Sequence, residues 1–129
     1  MQFKNKAIFF SPSDLITFSE SPFASHMERC LLEDRSKKIL IDPKDVLLER
    51  MKQKGFDHEE TFLASLISDG KNVLKIERAD NELMFIKTKD AMFKGFDVIA
   101  QAYLQLNNFG GMADFLIKVP GKSLLGDYH

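Results

Sequence analysis

A hairpin signal late in the chain constrains the fold more than any other feature. Residues 97–106 read as a strand, Asn107-Asn108 as a tight turn suited to positive backbone angles, and residues 111–119 as the returning strand. On the returning strand Ala113, Phe115, Ile117 and Val119 share one face, while Met112, Asp114 and Leu116 share the other. Apolar residues on both faces predict a central strand covered from both sides. Shorter strand candidates lie at residues 72–77 and 83–86, and a last one begins at Leu124 after a Pro120-Gly121 turn.

A hairpin needs a layer to pack against, and the earlier sequence supplies helices. Residues 7–10 read as a short buried strand or an extended lead-in. Ser11, as N-cap, and Pro12, in the first turn, then start a helix with Leu15, Ile16 and Phe18 on its apolar side. Ser21-Pro22 breaks it and opens a second helix, in which Phe23, Met27, Cys30 and Leu31 describe one buried face. Residues 34–38 read as a charged loop and residues 39–41 as a short apolar segment ended by Asp42-Pro43. Residues 43–54 read as a helix closed by Gly55. Asp57 caps the next helix, with Glu60 at capping-box spacing and Phe62, Leu63, Leu66 and Ile67 as its apolar stripe. Thr88 caps a short helix to Lys94, stopped by Gly95. The expected fold is one α/β (α+β) domain over residues 1–129, with N-terminal helices followed by a mixed sheet. That sheet lacks its far side, so the expectation is a truncated domain. Its exposed edge would be prone to pair with a second copy, giving a homodimer.

Composition narrows the function. Among 129 residues, 44% are hydrophobic and 29% charged, as in a globular domain. The net charge of −1 offers no global basic field, so any DNA contact needs local Lys/Arg patches. Cys30 is the only cysteine, which rules out an internal disulfide and a four-cysteine metal site within this chain. No apolar run approaches the roughly 20 residues of a membrane span. The segment Ala7-Ile8-Phe9-Phe10 is too short for a signal-peptide core, so the expected compartment is the cytoplasm.

Asp114 is the first candidate for chemistry. A carboxylate in a strand apolar on both sides must be protonated, hydrogen-bonded, paired or metal-bound. It is therefore either a structural Asp or part of a site. His58 lies four and eight residues before Phe62 and Leu66, so it borders the helix stripe and points toward what the helix covers. Glu59 beside it suits the first helical turn. The pair is not a zinc-protease motif, because position 62 is Phe. Gln101, polar within Ile99-Ala100-Gln101-Ala102-Tyr103, is either a structural hydrogen-bonder or a neighbour of a site. His26, Cys30 and His129 form no recognisable set. Ser11 and Ser13 read as caps, and neither a nucleophile elbow nor a Gly-rich phosphate loop is present.

Several segments occur in a telling order: Ser11-Pro12-Ser13-Asp14-Leu15, Gly55-Phe56-Asp57-His58-Glu59, Ala91-Met92 through Gly95 to Val98-Ile99-Ala100-Gln101-Ala102, Gly111-Met112-Ala113-Asp114-Phe115-Leu116, and Ser123, Leu125-Gly126 and Tyr128. This succession resembles the N-terminal region of RecB-family nucleases of the PD-(D/E)XK type, relatives of the CRISPR-associated RecB-like exonucleases. The resemblance spans nearly the whole chain. It implies an incomplete restriction-endonuclease-like core, with Asp114 as the first catalytic acid and His58 as a helix-borne metal ligand. Glu59 and Gln101 would take supporting roles. It implies Mg²⁺ or Mn²⁺ as cofactor and DNA as substrate. The second acid and the Lys two residues beyond it should follow Tyr128, and no Asp/Glu-x-Lys stands there. Residues 1–129 alone are therefore expected to be inactive, either as the front of a nuclease or as a catalytically dead binding or regulatory module. Iron–sulfur members place a Cys near Ser21-Pro22, so no cluster is expected here.

Overall fold

The computed structural model describes residues 1–4, 7–34, 36 and 46–129. Among them the protein is mixed α/β, with four helices and three small sheets. The short apolar segment at residues 39–41, the N-terminal end of the helix expected over 43–54, and most of the charged loop at 34–38 lie outside the described residues. The chain divides into two compact units, Met1–Lys44 with Gln105–Gly111, and Asp45–Leu104 with Met112–His129.

In the first unit, β1 (Gln2–Lys4) pairs antiparallel with β2 (Ala7–Phe9). The helix α1 (Pro12–Glu20) starts where expected, with Ser11 at its N-cap. Asp14 reaches back to accept from the Ser11 amide at 2.6 Å and its hydroxyl at 2.7 Å. The α-ammonium of Met1 sits 2.6 Å from the other carboxylate oxygen. Ser21 ends α1 and caps α2 (Pro22–Glu33), its hydroxyl accepting from the Ala24 amide. The apolar side of α2 is less covered than its spacing predicts: no residue is buried and Phe23 is 72% exposed.

Asp14 is 7% exposed. Burial opposes its ionisation, but the Met1 ammonium and the Ser11 amide and hydroxyl outweigh it, so its pKa lies below the usual 3.8. A pKa depressed on folding gives stabilisation that is present above 3.8 and is lost as pH falls through the folded value. Denaturation midpoints should therefore drop on acidification below about pH 4, and drop less in Asp14→Asn. The same acid dependence in both proteins would exclude this pair as its source.

The tip of the hairpin also belongs to the first unit. Phe10 bonds to Asn108 and Gly110, and its ring stacks on Phe109 at 5.5 Å. A Cβ on Gly111 would lie 2.6 Å from Cδ and 2.9 Å from Cγ of Pro12, whose ring cannot swing aside. Gly111→Ala should cost about 1–3 kcal/mol, the usual range for forced overpacking. Thermal unfolding reads it, and an unchanged midpoint would contradict the close approach.

In the second unit, α3 (Val46–Ser68) runs without a break through Gly55, where a helix stop was expected. Glycine in a helix interior costs only about 1 kcal/mol relative to alanine, too little to end a long helix. Then β3 (Val73–Lys75) pairs parallel with β4 (Val98–Leu106), Leu74 opposite Ile99. Parallel neighbours need a crossover, and α4 (Asn81–Lys94) supplies it. The strand expected at residues 83–86 is the first part of this helix, because Asp80 caps it by accepting from the Leu83 amide. Thr88 is thus an interior residue rather than a cap. Gly95 ends α4 at φ 72, as expected.

The turn at Asn107 (φ 52) joins β4 to β5 (Phe109–Ile117), completing a sheet of order β3-β4-β5. The core lies between α4 and the sheet: Met84 and Ala91 pack with Ile76, Ile99, Ala102 and Tyr103. The expected Pro120-Gly121 turn is instead part of β6 (Pro120–Ser123), paired antiparallel with β7 (Gly126–Tyr128). This ribbon is fastened to the end of α4. The Tyr128 hydroxyl donates to the Met92 carbonyl at 3.0 Å, and the Lys118 ammonium donates to that of Gly95 at 2.9 Å. Lys118 also pairs with Asp97 at 2.9 Å; this hydrogen bond, with one from the Asn72 amide, holds the Asp97 pKa below its usual value.

Candidate functional site

A cleft of about 480 Å³ opens in the second unit. One wall comes from α3, through Phe56, Glu59, Glu60 and Leu63. The other comes from residues 75–78, from Ala100 and Gln101 of β4, and from Phe115 of β5. Its volume falls in the usual range for ligand pockets, roughly 300–1,000 Å³. The lining is mixed in charge, with Lys75 and Arg78 against Glu59, Glu60 and Glu77.

Two contacts bring α3 onto the sheet here. The Phe62 ring meets Phe115 edge-on at 5.1 Å, and the Gln101 amide donates to a Glu59 carboxylate oxygen at 3.0 Å. Gln101 has φ 55 in the middle of a strand, a left-handed conformation that non-glycine residues seldom adopt. Ala100 and Gln101, neighbours in sequence, both line the cleft.

The chain has no significant match among protein-family models, curated proteins or solved structures.

Of the four residues singled out from sequence, Glu59 and Gln101 come together. His58 and Asp114 do not join them. His58 is exposed, and the α3 residues that line the cleft are Phe56, Glu59, Glu60 and Leu63. Asp114 is exposed as well, contrary to the hydrocarbon surroundings expected from its strand. β5 is the edge of the three-stranded sheet, and two of its apolar residues, Met112 and Ile117, are 40% and 51% exposed. Period-2 alternation puts Asp114 opposite the face on which Phe115 meets α3.

A divalent cation needs several oxygen or nitrogen donors at one point. Among the described residues no group of three or more His, Cys, Asp or Glu side chains could hold one. The arrangement of the described residues gathers no such donor set, and no hydrolytic step follows from it. His26 and Cys30 approach to 3.5 Å on α2, only two donors on an exposed turn. No helix among the described residues is long and apolar enough to cross a membrane. Sequence reasoning missed Phe56, Lys75, Glu77 and Arg78 as cleft residues. They come from separate segments, and only the β3–β4 pairing brings those segments to α3.

Proposed function

We propose that this chain is part of a metal-dependent DNA nuclease of the RecB-like type, with an incomplete restriction-endonuclease-like core. Asp114 and His58 would be the first donors for Mg²⁺ or Mn²⁺, and Glu59 and Gln101 would support them. The observation that carries this reading is the Phe62–Phe115 contact. It brings the helix that bears His58 onto the strand that bears Asp114, with Asp114 itself on the opposite face of that strand. Residues 1–129 alone are proposed not to cleave DNA, because the second acid and the Lys of the motif are absent from them. DNA is the proposed partner, and pairing with a second copy along an open strand edge belongs to the same proposal.

A second reading, a nuclease-like module that binds without hydrolysis, is favoured by one observation: the cleft forms around Glu59 and Gln101 and includes neither His58 nor Asp114. Single- and double-stranded DNA, incubated with residues 1–129 and with the full gene product in Mn²⁺ or in chelator, separates the two. The nuclease reading expects chelator-sensitive cleavage by the full product only. DNA retention without cleavage by either protein would favour the module and end the catalytic reading.

A further inference from the structure

The bond between Gln101 and Glu59 joins residues 42 positions apart and sits on a strained backbone. A left-handed residue inside a strand is energetically costly, and such conformations persist only where surrounding contacts determine them. Glycine would adopt this one freely, yet the position holds a long amide aimed at a carboxylate. The partner helix explains the need. No residue of α3 is fully buried, and Val46, Leu47 and Met51 are largely exposed. Its side-chain bonds Lys52–Glu49, Gln53–Asp57, Thr61–Asp57 and Ser65–Phe62 all stay within the helix. Sparse apolar packing determines the rotation of a helix poorly, whereas a hydrogen bond to a charged group is directional.

We propose that Gln101 is a positioning residue, whose kinked backbone clamps α3 to the sheet through Glu59 and selects which face of that helix the cleft receives. Consecutive helical residues project roughly 100° apart. The clamp therefore keeps Glu59 in the cleft and His58 outside it. The inference stands on the cleft geometry and is independent of the nuclease chemistry proposed above.

Amide hydrogen exchange in α3 and the thermal midpoint, measured together on residues 1–129, test it. Gln101→Gly relieves the strained backbone and removes the clamp. Exchange across residues 56–66 should rise about tenfold relative to the core of α4, with the midpoint unchanged or higher. Gln101→Glu sets two carboxylates face to face and should also speed exchange. The swapped pair Gln101→Glu with Glu59→Gln restores one donor and one acceptor, and should return exchange to within about threefold of the original. A role in stability alone predicts something else: Gln101→Gly lowers the midpoint and speeds exchange equally in α3 and α4. That result would overturn the clamp, as would a folded swap variant that fails to restore protection. An α3 already unprotected in the original protein would overturn it too. None of these outcomes depends on DNA cleavage, so the clamp and the nuclease reading fail separately.

Discussion

On the nuclease reading, Asp114→Ala in the full gene product should reduce metal-dependent DNA cleavage by more than about 100-fold, beyond the 10- to 100-fold typical of outer-shell partners of a metal. Its fold should survive. Asp114 is exposed and its carboxylate makes no hydrogen bond among the described residues, so its truncation should change stability by less than about 0.5 kcal/mol. The combination is diagnostic, because a residue needed only for folding would lose both together. Circular dichroism and thermal melts must accompany the cleavage assay. Cleavage at the original rate would remove Asp114 from the catalytic role.

Thr88→Val should cause a large loss of stability for an isosteric change. Thr88 is 0% exposed in α4, and its hydroxyl has two jobs. It donates to the Met84 carbonyl at 2.9 Å and accepts from the Tyr103 amide of β4 at 3.1 Å. Valine fills the same space but offers no acceptor, leaving a buried backbone N–H without a partner. Such an orphan costs about 1–3 kcal/mol. Thr88→Ser keeps the hydroxyl, giving up only a methyl group, and should cost about 1 kcal/mol. Denaturant unfolding of the two variants side by side checks the point. If serine proves no better than valine, the hydroxyl bridge is not what joins α4 to the sheet.

Local chemistry made the ends of elements legible. The Ser21-Pro22 break, the stop at Gly95 and the turn at Asn107-Asn108 all stand where residue type alone places them. These features depend on one or two residues and their own backbone. Interiors were harder. Leu83 to Ile86 has the look of a strand, but the Asp80 cap three residues before Leu83 commits the segment to helix. Gly55 looks like a stop, but no opposing element makes the helix end there.

Burial was least legible where it depended on neighbours. Asp114 lies between Ala113 and Phe115, and nothing in that string says that β5 is an edge strand. The same limit hid the true surroundings of His58, whose four-residue spacing from Phe62 places it beside an apolar stripe without fixing how the helix is turned. The kink at Gln101 has no sequence signal, since Gln has no special tolerance for positive φ. It becomes intelligible only with Glu59 opposite, a partner brought near by tertiary structure.

The most direct measurement of the proposed site is Mn²⁺-induced paramagnetic broadening in the NMR spectrum of the full gene product. The nuclease reading predicts that amides flanking His58 and amides flanking Asp114 broaden together at the same low Mn²⁺ concentration, and recover together on chelation. Broadening at only one of them, or at neither, in the folded protein would contradict a shared ion and the nuclease site built on it.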